Sequence, residues 1–393
     1  MFFFATGTSI LKDILDTKLP QGIIIDYQHV SLLRHTKTLL YQVYKQFSPS
    51  QRQLFDIKLK QQCFPHFFNR RMKTCKDLSF MKAVELRNVL IYGLLPLSYE
   101  FINYEQLAHM SLFICAIRLY HSQPPMFGQT TATIANQLFK QYYKDHRKFY
   151  HLIQNYVLHL HAHYGEQYVN YGSLSNIGCF SQEDLIGHVS SNTYGTRYYG
   201  DQIVHYYNIN FSLHNRVPHT KYDIHSKPID LNPGFIIDNY TIIIAHHNRI
   251  CSCLNIPKCI SIYRRCIIRS NTFHSLLYKR RTKSNSYFVS YYESTSNNEK
   301  YFGIIHLFFC CMNTTYAVIQ RFKNKQPFSS LFKSSSYFDL LEKPLDSCYN
   351  ILFKNPCDIF DIVEINYIIK HCIVFDFEQE LVVTEISAYN EHD

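Results

Sequence analysis

The chain changes its hydrophobic rhythm twice. A brief β-branched run, Gly22-Ile-Ile-Ile25, ends at Asp26, and an apolar run of that length bounded by Gly and Asp suits a buried strand of a parallel sheet. From Val30 to Phe47 the apolar residues fall at 32, 33, 39, 40, 43, 44 and 47, the spacing of one helix face. Asp26 is therefore expected at the C-terminal end of a strand, just ahead of a helix. That is the edge at which open α/β sheets bind ligands.

Residues 51–170 stay in helical period. Helices are expected over Gln51–Gln62, Leu78–Leu95, Tyr104–His121 and Thr130–Tyr164, with a break at Pro124-Pro125. A Gly- and Ser-rich stretch from Tyr171 then gives way, at Phe180-Ser181-Gln182-Glu183-Asp184, to a helix start with Ser181 as the cap and acids in the first turn. A short helix from Asp201 to about Asn208 follows. Residues 211–258 contain Pro218, Pro228, Pro233 and Pro257 and read as an irregular connector.

From Cys259 the rhythm becomes that of strands. β-Branched and aromatic runs recur at Cys259–Tyr263, Tyr287–Tyr292, Tyr301–Cys311, Tyr316–Arg321, Ile359–Tyr367, His371–Phe377 and Glu380–Ile386, parted by turn-rich segments such as Ser294–Asn298. The expected architecture is an α/β remnant over 1–50, an all-α insertion over 51–170, a return to the core over 171–210 and the connector over 211–258. An all-β tail over 259–393, resembling a small barrel, completes it.

Composition narrows the function classes. A chain 46% hydrophobic and 18% charged is folded rather than disordered. A formal net charge of +10 favours a polyanionic partner. Thirteen cysteines without a regular framework read as reduced thiols, as in the nucleus or the cytoplasm. The longest apolar stretch, Tyr301–Met312, is too short to span a bilayer, and the N-terminus lacks the basic region of a signal peptide, so no membrane partner is expected.

Several stretches carry candidate chemistry. The loop Asn69–Lys76 presents Arg70, Arg71 and Lys73, and Lys140, Lys144, Arg147 and Lys148 form a second basic face. Arg264, Arg265, Arg269, Lys279, Arg280, Arg281 and Lys283 are interleaved with Tyr263, Phe273, Tyr278, Tyr287 and Tyr291, as a surface that tracks phosphates and stacks bases requires. An ordinary solvated face carries the same charges. Cys251-x-Cys253 with Cys259 and Cys266 invites a zinc reading, against which stand the lack of two Cys-x-x-Cys knuckles and the placement of Cys259 on an expected strand. His159 and His163 lie one helical turn apart, half of a zinc site.

Asp26 at a strand end and Glu183 at a later helix start have the arrangement of a metal-dependent phosphoryl-transfer site. Such a site takes carboxylates from separate elements so that Mg²⁺ can bridge the attacking and leaving oxygens.

These residues carry a family resemblance. Asp26-Tyr27-Gln28-His29 resembles an Asp-Tyr-Met-His motif. Met81-Lys-Ala-Val-Glu-Leu-Arg87, with Leu90-Ile91-Tyr92 and Leu95-Pro96, is similar to a Trp-Lys-Ala-x-Glu pattern followed by Leu-Leu-Tyr and Leu-Pro. His159-x-x-x-His163, Tyr171-Gly172-x-Leu174, Phe180-x-x-Glu183 and Gly187 resemble a segment ending Phe-Pro-Phe-Glu-Asn-x-x-Gly. Phe273-His274-Ser275-x-x-Tyr278 and Asn390-Glu391-His392-Asp393 resemble the accompanying β-rich tail. In this order the motifs resemble the C-terminal part of the metazoan transposase-domain proteins related to CACTA- and KDZ-type DDE transposases.

The resemblance implies a truncated RNase H-like core interrupted by the helical block, with Asp26 and Glu183 as catalytic, Mg²⁺-binding acids and DNA as the partner. It also implies that the first acid of the triad, which belongs to an earlier strand, is missing: only 25 residues precede Asp26. The Cys-x-x-Cys pair that would complete a zinc site with His159 and His163 is absent as well. The expectation is a nuclear, transposase-derived protein that binds nucleic acid and does not cut it. The alternatives are a nucleic-acid or protein-binding module without catalysis and a non-functional transposon relic. Oligomeric state, a homo-oligomer included, is left open.

Overall fold

The computed structural model describes residues 24–150, 155–191, 197–214, 240–251, 253, 259–278, 284–293 and 299–389. Within them a helical block is followed by a curled antiparallel sheet. The helical block begins with a π-helical run, Gln28–Thr36, which continues directly into the α-helix Lys37–Gln46. Ser48 starts the next helix, Pro49–Gln61. Its hydroxyl accepts from the Gln51 amide while the Gln51 side chain returns the bond to the Ser48 amide, and Pro49 fills the first position, where no amide hydrogen is required.

The axis of the block is the helix Tyr104–His121, capped by the Asn103 side chain. Every residue from Gln106 to His121 is buried, so this helix is surrounded rather than amphipathic. Arg118, buried within it, donates to the Ile91 carbonyl at 2.8 Å, to Thr384 Oγ1 at 2.6 Å and to the Glu385 carbonyl at 3.1 Å. Its guanidinium also lies over the rings of Tyr92 and Tyr349. A single hydrophobic core accordingly runs from Tyr27 through the helices to Val382 and Ile386.

The sheet is built from β1 (Ile260–Tyr263), β4 (Phe288–Tyr292), β5 (Lys300–Cys311), β6 (Thr314–Phe322), β7 (Asn324–Pro327), β8 (Asn350–Phe353), β9 (Phe360–Glu364), β10 (Ile368–Asp376) and β11 (Glu380–Glu385). Its order is β7-β8-β11-β10-β4-β5-β6-β9, and β1 pairs with the far end of β5. A separate hairpin joins β2 (Arg265–Ile268) to β3 (Asn271–His274). Both two-residue hairpin turns, Arg269-Ser270 and Met312-Asn313, place two consecutive residues at positive φ, which matches the twist of antiparallel strands.

Seven expected strands are present with ends shifted by a few residues, and the helix over Tyr104–His121 has the expected bounds. Several expectations need correction. The helix expected over Thr130–Tyr164 ends at Phe149, where Tyr150 is extended, and separate short helices follow from Tyr156. Ile24 and Ile25 belong to no strand: the Ile25 amide donates to Gln167 Oε1 at 3.1 Å, a side-chain partner in place of a ladder. Gly22 and Ile23 lie outside the described residues. All ladders between the described strands are antiparallel, and the sheet is a half-barrel, because its end strands β7 and β9 do not pair with each other. The supposed connector contains a helix, Tyr240–Ile250, which sets Ile243 against Ile260, Ile262 and Leu307. A second unexpected helix, Phe338–Cys348, stands between β7 and β8 and buries Leu341, Pro344, Leu345 and Cys348 despite its internal proline.

Candidate acidic site and basic groove

Asp26 immediately precedes the first helix, and its carboxylate accepts from the backbone amides of Gln28 and His29, each at 3.1 Å. It also accepts from the Cys179 amide at 3.0 Å and bonds His29 Nδ1. Burial pushes this carboxyl up, but His29 and the three amides outweigh it and hold the group below the usual carboxylate range. The helix Phe180–Ser191 starts beside it, with the Glu183 amide donating to the Cys179 carbonyl at 2.8 Å. Ser181 therefore lies inside the first turn rather than ahead of it.

Glu183 turns back toward the first helix. Its Oε2 accepts from Gln28 Nε2 at 2.8 Å, and its Oε1 lies 3.8 Å from His29 Nε2. The His29 imidazole thus stands between the two carboxylates. Asp26, His29 and Glu183 do not converge tightly enough to offer one ion three ligand atoms. The close approach beneath them depends on Gly178, since a Cβ there would come within 2.6 Å of Tyr27 Cε1. Tyr27 is fully buried and meets Phe180 and His121 edge-on, and the Arg87 guanidinium covers Phe180.

Behind this site is a layer of buried imidazoles. His161 Nε2 is 3.0 Å from Ser31 Oγ, which also contacts Tyr164 OH at 2.9 Å, and His35 Nε2 is 2.9 Å from Tyr142 OH. His109 Nε2 lies 3.0 Å from the Tyr142 carbonyl. Burial lowers His161, His109 and His146 to about 4 and takes His35 well below its usual value, His161 and His146 adding to the effect on His35. His159 and His163 are not part of this layer. Their rings are 5.3 Å apart, His159 is exposed, and no third metal donor joins them among the described residues.

The basic residues fall in four places. One is the exposed side of the helix Thr131–Phe149, which carries Lys140, Lys144, Arg147 and Lys148, with Lys148 paired to Asp145 at 2.7 Å. A groove of about 1150 Å³ is lined by Arg34, Lys37, Lys45, Arg52 and Lys76 together with Tyr41 and Tyr44, and by no acid among the described residues. Lys37 Nζ donates to the Ser79 carbonyl at 3.0 Å, and Arg52 donates to the carbonyls of Tyr44 and Lys45, so both are held in place. Tyr41 is 58% exposed beside them. Of the loop expected to touch phosphates, Lys76 reaches the groove, Lys73 pairs with Glu85 at 3.3 Å, and Arg70 and Arg71 are exposed outside the groove lining.

Around the β2–β3 hairpin, Arg264 is exposed and its carbonyl accepts from Ser275, while the Arg265 guanidinium lies 4.9 Å from the Tyr278 ring centre. Phe273 and Tyr291 are not stacking platforms. Phe273 is buried against His371 with ring centres 3.7 Å apart, and buried Tyr291 donates to Asp361 at 2.5 Å. Lys279, Arg280, Arg281 and Lys283 lie outside the described residues.

The groove was not apparent in the sequence because its cations come from two helices and a loop. Another missed residue is His247. With Cys251, Cys253 and Cys259 it forms the one group of metal-donor atoms among the described residues, whereas Cys266 is buried on β2. All thirteen cysteines are free thiols. No helix among the described residues is long and apolar enough to cross a membrane. No protein-family model, curated protein or solved structure matches the chain.

Proposed function

We propose that the chain is a transposase-derived protein of the DDE, RNase H-like type, that it binds nucleic acid, and that it does not cleave it alone. One observation carries this reading: Asp26 and Glu183, from widely separated motifs, are held at opposite sides of one imidazole, on a floor made by Tyr27, Gly178 and Phe180. The motifs of the family resemblance therefore meet in space, with Arg87 of the second motif lying over Phe180 of the third. On this reading the helix after Asp26 and the helix bearing Glu183 are what remains of the RNase H-like core.

In the intact family Mg²⁺ would supply activation of a water or 3′-hydroxyl and neutralisation of phosphate charge. With the His29 ring between them, however, Asp26 and Glu183 are too far apart to share one ion, so the residues as placed do not fit it. The family chemistry takes three acids, and the described residues gather two. His29 occupies the space between them and holds Asp26 ionised through its hydrogen bond. The groove, whose lining holds no acid among the described residues, supplies the complementary surface for a phosphate backbone, with Tyr41 exposed for stacking, whereas Tyr44 is engaged by Asp56 and Arg52.

The test uses purified chain with radiolabelled supercoiled and linear DNA. The expected outcome is binding that weakens steeply between about 50 and 200 mM salt, with no nicking in Mg²⁺ or Mn²⁺. Nicking that disappears in Glu183→Gln would overturn the claim that the site is incomplete. Absence of binding at low salt would overturn the nucleic-acid reading itself.

A further inference from the structure

We propose that His247, Cys251, Cys253 and Cys259 form a second, independent site that binds one zinc ion and fastens the helix Tyr240–Ile250 to the sheet. His247 and Cys251 are one helical turn apart at the end of that helix, the Cys251 amide donating to the His247 carbonyl at 2.8 Å. Cys253 follows two residues on, and Cys259 immediately precedes β1, which pairs with β5. The spacing is therefore His-x₃-Cys-x-Cys-x₅-Cys, compact enough to close on a single ion.

The donor geometry agrees. One ligand atom from each of the four residues lies within 4.8 Å of all the others. His247 Nε2 is 3.2 Å from Cys253 Sγ, and Cys251 Sγ is 3.5 Å from Cys259 Sγ. Tetrahedral zinc with its usual bond lengths sets nitrogen–sulfur separations of about 3.5 Å and sulfur–sulfur separations of about 3.8 Å. The match is within a few tenths of an ångström, and the sulfurs are too far apart for a disulfide.

The second ring nitrogen of His247 faces Asn248 Oδ1 at 3.3 Å. A proton on Nδ1 directed at that oxygen leaves the Nε2 lone pair facing the thiols, as a ligating imidazole requires. The ring itself is fully buried, so it is held in this orientation. On binding, each of the three thiols loses its proton to solvent as its sulfur–zinc bond forms, with no redox change. Four protein donors leave no open position, so the site is structural rather than catalytic.

A fifth sulfur tests the assignment. Cys311 on β5 lies 3.9 Å from Cys259 Sγ but outside the group of four. The full chain is purified under reducing conditions, stripped with a chelator and titrated with Zn²⁺ against a chromophoric competitor, then with Co²⁺. The expected result is one equivalent of zinc per chain and a cobalt spectrum of tetrahedral type, with charge-transfer intensity for three thiolates. Cys253→Ser should weaken binding at least tenfold, whereas Cys266→Ser and Cys311→Ser should leave it unchanged. The cobalt spectrum of the unsubstituted chain reads the ligand count even where a variant fails to fold. The proposal is overturned by absence of stoichiometric binding, by an octahedral cobalt spectrum, or by loss of metal in Cys311→Ser with retention in Cys253→Ser.

Discussion

The backbone amide of Cys179 donates to the carboxylate of Asp26 at 3.0 Å, across 153 positions of sequence. This bond fixes the start of the helix that carries Glu183 relative to the start of the helix that carries His29. It makes the acidic site a property of the fold, because a backbone amide can reach Asp26 only if the turn before Phe180 lies against the Tyr27 ring.

That contact yields the first prediction. At Gly178 a methyl group would sit 2.6 Å from Tyr27 Cε1 and 3.1 Å from its Cδ1. Tyr27 is fully buried between Phe180 and His121 and has no room to retreat. Gly178→Ala should therefore destabilise the chain by about 1–3 kcal/mol, the usual cost of overpacking. Urea unfolding is the measurement. An unchanged midpoint would mean that the turn and the ring are not in contact.

Asp26→Asn gives a second, separable effect. The carboxylate serves the amides of Gln28, His29 and Cys179 as well as the His29 ring, whereas an amide side chain has one oxygen to accept with. A loss of about 1–2 kcal/mol is expected, in line with loss of acceptors for the first amides of the helix and of one partly buried hydrogen bond. The sign against pH follows from the lowered carboxyl. The wild-type contribution is present above the unfolded value and is lost as pH falls through the folded one, so the two unfolding curves should converge in strong acid.

Where sequence reading succeeded and failed has a physical explanation. Apolar periodicity located the Tyr104–His121 helix because a Pro-free run of that length has few other conformations, and it located most strands because β-branched runs bounded by turns have few other uses. It failed at Ile24-Ile25, where a strand-like run is satisfied by the Gln167 side chain. It failed again at Tyr240–Ile250, where Pro218, Pro228, Pro233 and Pro257 suggested an irregular connector and concealed a helix that packs Ile243 on β1 and β5. Asp26 and Glu183 could be singled out in advance because each stands at the start of a stretch whose local pattern marks a helix. The groove and His247 could not, since convergence of Arg34 with Lys76, or of His247 with Cys259, depends on tertiary packing that no local pattern encodes.

The imidazole layer predicts acid sensitivity. His35, His109, His146 and His161 are all buried with values below 6.5, so between pH 6.5 and about 4 the unfolded chain binds more protons than the folded one. Their neutral forms stabilise the fold above pH 6.5, and that stability declines as pH falls through this window. For His161 alone the loss by pH 5 is about 2 kcal/mol. Asp145, which favours the charged form of His109, moderates that residue only. The thermal midpoint should fall well before the carboxylates titrate. His161→Gln, which can still meet Ser31, should flatten the dependence, and an unchanged slope in that variant would remove His161 from the account.

The groove makes the most direct statement about partners. Its cations come from the first two helices and from the turn at Lys76, and no acid among the described residues lines it. If a phosphate backbone lies there, each cation that neutralises one phosphate contributes about 0.9 to the slope of log affinity against log salt for duplex DNA. Replacing Arg34 and Lys45 with Gln should lower that slope by roughly 1.8 and weaken binding at low salt. Arg34 and Lys45 are the right pair to change, because Lys37 and Arg52 spend hydrogen bonds on backbone carbonyls and their loss would disturb the fold. Arg70→Gln with Arg71→Gln, outside the groove lining, should change the slope much less. Anisotropy titrations of a labelled duplex across salt concentrations measure all three chains. An equal loss in both double variants would point to diffuse attraction by net charge, and a loss confined to the Arg70 and Arg71 pair would move the binding surface to the loop first suggested by its charge.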